Sequence, residues 1–433
     1  MRLDRHPLRL VLTIAIVAIG CLPYLHAQIR VGVAEVDITP PVGGLTTGYS
    51  SAQPTDGVHD PVTARILTLE SNTARVAMVV CDLCIYNSSQ LHADVRALGF
   101  DQFLLMNTHT HAGPKMNEEF PSAEHPWART VDERILEGVN QASRDSFVGN
   151  FVAAAGQIQL GYNRLFQQGN YSITHFENPD HIPYGAVDTE VGVIRIDDAD
   201  GRTRAVLVNY ACHPVVLGPR NLKISADFPG VMRARVEEEL GGNVKCFFFQ
   251  SGAGDINPLF MARGDDREGD FDIVSRVGEL LATEVLRALS FVKQDVGTSD
   301  SLKVMSSVSQ FRQRFDSGAS MEMGSTSILI NDSIAIMTMP GEPFHYFPTE
   351  FRRQSGVAHN FFLGYCCNGP YDWPRYLPDL HSAARGGYGA SDTTMAEVGA
   401  GERLLNTGLI QLFTLQGRLK SEPIRHLVEP TRP

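Results

Sequence analysis

The sequence lacks the features that mark nucleic-acid-binding, membrane-spanning and disordered proteins. Its 433 residues include 37 Lys and Arg against 49 Asp and Glu, for a formal net charge of −12. Since no excess of positive charge is available to meet phosphate groups, the composition argues against a nucleic-acid partner. After the N-terminal segment, no apolar run reaches the ~18–20 residues that cross a bilayer. A hydrophobic fraction of 43% is ordinary for a folded protein, so we expect a globular chain with no transmembrane span in its mature part.

Internal repeats, low-complexity linkers and shifts in composition are also missing, so nothing divides the chain after its N-terminus. We therefore predict one catalytic domain over residues 28–433. A domain of this size buries a stable core without disulfide bridges. Cys81 and Cys84 have the spacing of a redox or zinc pair, but they lie in an apolar run and are interpreted as buried small side chains. The sequence does not indicate an oligomeric state.

The first 27 residues have the pattern of an export signal. Three arginines within the first nine residues precede an apolar run from Leu10 to Leu22. That run has the length of a signal-peptide core and is short for a membrane span. We expect cleavage after Ala27 and a secreted or periplasmic protein. A lipoprotein signal, with a lipid anchor on Cys21, is the alternative.

The rest of the chain alternates between strand-like and helix-like patterns. Helical periodicity is found over Asp132–Arg144, Gly230–Leu240, Val274–Leu289 and Glu397–Leu415. Apolar runs of strand length end abruptly in polar residues after Phe103–Met106, Ala205–Tyr210, Cys246–Phe249, Ile334–Met339 and Phe361–Tyr365. This alternation predicts an α/β fold. Because ligands of such folds bind beyond the carboxyl ends of the strands, the polar strand ends predict one converging site.

Histidines and a carboxylate at these strand ends could hold a metal ion. His109 and His111 are two residues apart, which in an extended segment places both rings on one face. His213 and Glu342 follow two other apolar runs. Two histidines and one glutamate form a usual catalytic zinc set, in which the pKa of water falls toward neutrality. The alternatives are a hydrogen-bonded histidine pair, and a salt bridge from Glu342 to an arginine.

A glycine-rich turn follows the third apolar run. The segment Gly252–Pro258 is not followed by the Lys-Ser/Thr pair of a phosphate-binding loop. We interpret it as a turn that presents Asp255 and Asn257 to the site, and the alternative is an ordinary turn without function.

Ten short segments, in order along the chain, resemble the N-terminal catalytic domain of the neutral (non-lysosomal) ceramidases. They are Val31–Gly44 with Gly48-Tyr49, Val58–Arg65, Asn107–Pro114, Tyr162–Arg164, His213-Pro214, Ser225–Asp227, Gly254–Pro258, Pro340–Phe344, Asn368–Pro378, and Gly386–Tyr388 with Gly399–Glu402. The resemblance implies mixed β-sheets covered by helices, in a layered αββα-like arrangement.

The resemblance also implies a zinc hydrolase. By position in the shared motifs, the Zn²⁺ ligands are His109, His213, Glu342 and a tyrosine. Tyr376 fits the tyrosine best, and Tyr371 is the fallback. The family's substrate-contacting arginine corresponds to Arg164, and His111 becomes an acid/base histidine. The predicted site is completed by Asp255 and Asn257 as catalytic residues, and by Asn163, Tyr162, Tyr371 and Trp373 as substrate-binding residues.

Two departures from the family pattern bear on the substrate. Asn257 stands where the ceramidases have a serine, and an asparagine cannot form an acyl intermediate but can hydrogen-bond a substrate or an oxyanion. The sequence also ends at Pro433, and we expect the family's C-terminal immunoglobulin-like domain to be absent. We predict an exported hydrolase that uses zinc-activated water on an N-acyl lipid-like amide or ester. The alternatives are a zinc-dependent hydrolase of glycosides on the same scaffold, and a ligand-binding homologue without catalysis.

Overall fold

The computed structural model describes residues 28–49, 53–241, 243–262, 267–292, 301–316 and 318–419. The predicted export signal, with Cys21, lies outside these residues. Within them, no helix is both long and apolar enough to cross a membrane.

The described residues form alternating strands and helices. The helices are α1 (Ser89–Ala97), α2 (Trp127–Arg144), α3 (Asp227–Leu240), α4 (Arg267–Ser290), α5 (Tyr346–Ser355), α6 (Leu380–Arg385) and α7 (Ala400–Leu415). The strands are β1 (Arg30–Asp37), β2 (Gly57–Val58), β3 (Thr63–Glu70), β4 (Arg75–Cys81), β5 (Gln102–Asn107), β6 (Phe147–Val148), β7 (Asn150–Gln157), β8 (Gly161–Asn163), β9 (Leu165–Gln168), β10 (Tyr171–Thr174), β11 (Glu190–Asp197), β12 (Thr203–Tyr210), β13 (Lys223–Ile224), β14 (Lys245–Gln250), β15 (Ile256–Pro258), β16 (Leu302–Arg312), β17 (Ser320–Ile330), β18 (Ile334–Thr338), β19 (Glu342–Pro343), β20 (His359–Leu363), β21 (Cys366–Cys367) and β22 (Tyr376–Leu377).

Three larger sheets share one construction. Their strand orders are β21-β5-β4-β3-β1-β6, β14-β12-β11-β7 and β16-β17-β18-β20. Each contains one parallel pair, namely β4 with β5, β12 with β14, and β18 with β20, and its other pairs are antiparallel. A helix connects the two strands of each parallel pair (α1, α3 and α5). Each sheet therefore has a β-α-β unit whose strands both end at the same edge.

The sheets pack their inner faces together and their outer faces against helices. Along β4, Val76, Met78 and Val80 belong to a core cluster that all three sheets share. Ala77 and Val79 alternate with them and belong to a second cluster with α1 and α2. This two-residue period is that of a strand buried on both faces. Similar outer clusters lie between the second sheet and α3 and α4, and between the third sheet and α5 and α7.

Helix α2 shows how closely the layers approach. Val131, Ile135 and Val139 recur at four-residue spacing and are buried, which is the apolar face of an amphipathic helix. A Cβ atom on Gly32 of β1 would lie 1.9 Å from the carbonyl oxygen of Ala142. Only glycine at that position lets the helix and the sheet pack at this distance. The predicted α/β class, with mixed sheets covered by helices, is confirmed, whereas a single domain over residues 28–433 stays a prediction.

Candidate active site

The carboxyl ends of the three β-α-β units meet at one place. His109 follows β5, His213 follows β12, and Glu342 begins the short strand β19 after β18. A segment that leaves a strand of each large sheet therefore contributes one side chain. The Nε2 atoms of His109 and His213 lie 3.2 and 3.3 Å from Oε2 of Glu342. All three side chains are buried. The structure thus brings together three of the four predicted metal ligands, which come from distant parts of the sequence.

The second nitrogen of each imidazole shows that this group fits a cation. Nδ1 of His109 donates to the carbonyl oxygen of Cys84 (2.7 Å), and Nδ1 of His213 donates to that of Ala253 (2.6 Å). A neutral ring that donates through Nδ1 has a lone pair on Nε2, and both lone pairs then face the Glu342 carboxylate. This arrangement is favourable when a positive ion lies between them. The donor set of two imidazole nitrogens and a carboxylate suits Zn²⁺.

The electrostatics describe the group without an ion. Burial would lower the pKa of His109, but Cys84 and Glu342 hold it well above its usual range, so the imidazole then carries the positive charge that faces the carboxylate. Although burial alone would raise it, the pKa of Glu342 lies well below its usual range because both imidazoles face the carboxylate. Burial lowers the pKa of His213 to about 4. Burial and the neighbouring imidazoles of His109 and His213 likewise hold the pKa of His111 well below its usual range. His111 is therefore a neutral imidazole at physiological pH, and its Nε2 lies 3.3 Å from Nε2 of His109.

The backbone around these side chains is strained. His109, Tyr365 and Arg375 have φ angles of 69°, 55° and 60°, in the left-handed region that side chains other than glycine rarely adopt. Such conformations persist where the surrounding structure holds them, and they cluster at functional sites. Gly48 is required here as well, because a Cβ atom on it would lie 2.2 Å from Nδ1 of His111.

Arg164 and Asn257 form a fixed pair beside the histidines. The Arg164 guanidinium donates through Nη1 to Oδ1 of Asn257 (3.1 Å) and through Nη2 to the carbonyl oxygen of Gly254 (2.6 Å). The Asn257 amide donates to the carbonyl oxygen of Phe176 (3.4 Å). Both ends of the Asn257 side chain are therefore engaged, and its carbonyl oxygen orients the arginine.

Asp255 is buried but fully engaged. Its carboxylate accepts from Nδ2 of Asn163 (2.8 Å), and from the backbone N–H and Nδ1 of His345 (2.9 and 2.6 Å). Burial would raise the pKa of Asp255, but the contacts with His345 lower it. This network links the β15 region to the start of α5 and holds Asn163 in place. The catalytic role predicted for Asp255 stays a prediction, and its contacts are those of a positioning residue.

The two candidate tyrosine ligands occupy different environments. Tyr376 is buried and pairs with Glu342 in the register of β19 and β22. The Arg164 guanidinium carbon lies 5.2 Å from the centre of its ring. Tyr371 is half-buried, and its ring lies against Gly369. In the described part of the chain, no ring contact links either tyrosine to the histidines, so the pairing of Tyr376 with Glu342 distinguishes the two. The placement favours Tyr376, although the ligand itself stays a prediction.

The other predicted substrate-binding residues lie in the walls of the site. Tyr162 is fully buried and donates through its hydroxyl to the carbonyl oxygen of His175 (3.0 Å). Trp373 is half-buried, and its ring centre lies 6.4 Å from that of Tyr365. Sequence reasoning missed Tyr365, whose ring centre lies 4.5 Å from that of His109. The available signal was its position at the end of the fifth apolar run.

Comparison with known proteins identifies the family. The family model "Neutral/alkaline non-lysosomal ceramidase, N-terminal" matches residues 29–272, more than half of the chain. The chain belongs to this ceramidase family. Neutral ceramidase A of Dictyostelium discoideum is 25% identical over 262 residues, which are 56% of this chain and 35% of that protein. The chain thus matches about a third of the length of this curated relative.

Solved ceramidase structures share the fold. The crystal structure of neutral ceramidase from Pseudomonas aeruginosa matches with a TM-score of 0.72 and 16% identity, over 92% of this chain and 76% of that one. A ceramidase complexed with C2 matches over the same shares, with a TM-score of 0.72 and 15% identity. The resemblance to the ceramidase family is confirmed. The family match includes His109 and His213, whereas Glu342 and Tyr376 lie beyond its last residue.

Proposed function

We propose that the protein is an exported zinc-dependent hydrolase that cleaves an amide or ester bond of an N-acyl lipid-like substrate. The observation that carries this proposal is the convergence of two buried imidazole Nε2 atoms on the Glu342 carboxylate, with each Nδ1 atom bonded to a backbone carbonyl oxygen. His109, His213 and Glu342 would hold the ion, with Tyr376 as the expected fourth ligand. Zinc in such a set acts as a Lewis acid and lowers the pKa of water toward neutrality.

The chain's own residues supply the remaining chemistry. His111 is neutral and lies beside His109, so its imidazole can accept a proton from attacking water and return it to the leaving group. The Arg164 guanidinium is fixed by Asn257 and the carbonyl oxygen of Gly254, and offers positive charge to an oxygen that becomes negative. Asn257 has no nucleophilic atom, so we propose that water, not this side chain, attacks the substrate.

Metal analysis of paired variants tests the proposal. Purified mature protein should contain about one zinc per chain, and Glu342→Gln should contain almost none. Glu284→Gln is a matched control, because Glu284 is also buried but binds Arg287 on α4. The control should keep its zinc. Wild-type protein without zinc would contradict the proposal.

A panel of substrates then identifies the bond that the protein cleaves. Wild-type protein should release a carboxylate from N-acyl lipids, short amides or esters, and Glu342→Gln should not. Turnover of glycosides alone would assign the carbohydrate chemistry instead, and ligand binding without turnover would indicate a non-catalytic homologue. The mass of the protein recovered from the secreted fraction tests export, since we expect an N-terminus at Gln28.

A further inference from the structure

Tyr365 lies at the centre of the candidate site, and none of the predicted roles includes it. Its backbone N–H donates to the carbonyl oxygen of Gly341 (3.0 Å), directly before Glu342. Its carbonyl oxygen accepts from the backbone N–H of Asn107 (3.3 Å), two residues before His109. The residue is therefore tied to two of the segments that carry proposed metal ligands, those of Glu342 and His109.

These ties hold Tyr365 in a conformation that aims its ring at the histidines. The φ angle of 55° is in the left-handed region, which costs free energy for a residue with a side chain. The ring centre lies 4.5 Å from that of His109 and 6.2 Å from that of His213. The side chain is fully buried. The strained backbone of Tyr365 thus places its phenol ring beside two proposed ligands, His109 and His213.

The hydroxyl of this phenol has no hydrogen-bond partner among the described residues, although it is buried. The groups that act on it electrostatically include Glu342, Tyr376 and Arg164. Tyr210 provides the contrast, because its buried hydroxyl donates to the carbonyl oxygen of Ile158 and accepts from the N–H of Leu160, both at 3.0 Å. Buried hydroxyls are normally paired, so an unpaired one among these residues indicates a partner that arrives with the substrate.

We propose that Tyr365 is a catalytic residue whose hydroxyl donates a hydrogen bond to the reacting oxygen of the substrate as negative charge develops there. Two donors of Arg164 are engaged by Asn257 and Gly254, whereas the Tyr365 hydroxyl is available. A donor aimed at such an oxygen stabilises the transition state more than the bound substrate. This inference rests on the proposed function.

Removing the hydroxyl alone tests the role. Tyr365→Phe and the control Tyr210→Phe are compared with wild type on the best substrate of the panel, together with zinc content and thermal unfolding. For Tyr365→Phe we expect kcat and kcat/KM to fall together by about 100-fold. Zinc content and Tm should stay at wild-type values, since the hydroxyl has no hydrogen-bond partner among the described residues. Tyr210→Phe should lose thermal stability and keep its turnover.

Each other outcome contradicts the role. Turnover of Tyr365→Phe at the wild-type rate overturns the inference and leaves the proposed function standing. Loss of zinc from Tyr365→Phe also overturns it, because the hydroxyl is then a ligand. A rise in KM with unchanged kcat assigns Tyr365 to ground-state binding and overturns the catalytic role. Wild-type protein that holds no zinc or hydrolyses no substrate overturns the proposed function and, with it, this inference.

Discussion

Two buried carboxylates of this protein, those of Asp82 and Glu342, have different kinds of partner. Asp82 accepts two hydrogen bonds from the Arg233 guanidinium (2.8 and 2.7 Å) and two from Thr63 (2.9 and 3.0 Å). Glu342 is buried as well, but it faces Nε2 of His109 and Nε2 of His213. The chain neutralises the charge of Asp82 with a permanent cation. The comparison teaches that a carboxylate neutralised by an arginine belongs to the scaffold, whereas one that faces two histidine Nε2 atoms has the donor set that we propose for an ion.

Asp227 is an intermediate case. It is buried and accepts from the backbone N–H groups of Phe228 (2.6 Å) and Leu217 (3.3 Å). Neutral donors compensate the charge less than a cation does. Burial accordingly raises the pKa of Asp227 to about 7. The three carboxylates therefore differ in the groups that compensate their negative charge. The effect of each on stability can be tested separately.

The largest effect is expected when Arg233 is removed. Arg233→Met leaves Asp82 buried without a cation, which should cost about 3–5 kcal/mol of the free energy of unfolding. Denaturant unfolding of the metal-free protein measures this loss. The double variant Asp82→Asn with Arg233→Met should recover most of it, because the buried charge is gone. A loss below about 1 kcal/mol, within the range of an exposed ion pair, would show that the pair is not structural.

The stability contributed by the Glu342 site should depend on added zinc, whereas that of the Asp82 site depends on Arg233. Metal-free wild-type protein should gain about 4 kcal/mol when free zinc reaches roughly 1,000 times its dissociation constant. Glu342→Gln should gain none of this, because it has lost the carboxylate that is proposed to hold the ion. Thermal unfolding in chelator and in zinc measures both quantities. If zinc stabilised the variant as much as the wild type, the metal would bind at a site other than Glu342.

Asp227 should make stability depend on pH. Its carboxyl has a pKa of about 7 in the folded protein and about 3.9 when unfolded. The folded state therefore binds more protons between these values, and stability falls as pH rises through this window. Between pH 5 and pH 8 the loss should be about 3 kcal/mol. Asp227→Asn keeps the shape, tolerates the φ of 55° and should lose less over this range. Parallel curves of unfolding free energy against pH would contradict the assignment.

The smallest effect is expected at Cys84. Its Sγ lies 3.6 Å from Nδ1 of His109, and a second metal grouping of Cys84, His109 and His111 is geometrically possible. Because Nδ1 of His109 donates to the Cys84 carbonyl oxygen, a backbone atom, the thiol is dispensable. Cys84→Ala should cost about 1 kcal/mol for the lost packing and keep its zinc. Loss of zinc from this variant would favour the second grouping.

Much of the scaffold could be predicted because strand and helix periodicities are local. The helices predicted at Gly230–Leu240 and Val274–Leu289 lie within α3 and α4. The abrupt change from apolar to polar residues marked the strand ends, and His109, His213 and Glu342 all lie at such ends. The choice between a salt bridge and a metal role for Glu342 was not local, because it depends on partners distant in the sequence. Among the described residues, the ion-pair contacts of this carboxylate are with imidazoles and not with an arginine.

The sequence by itself determined the residue types available at each strand end, the α/β class and, through its motifs, the ceramidase family. The tertiary structure decided which of these residues meet. His213 and Glu342 are 129 positions apart and follow strands of different sheets, β12 and β18, so their contact depends on how the layers pack. The same packing engages Asp255, fixes Arg164 on Asn257 and leaves the Tyr365 hydroxyl unpaired. Periodicity gives the face on which a side chain lies, whereas its partner is set by long-range packing of the core.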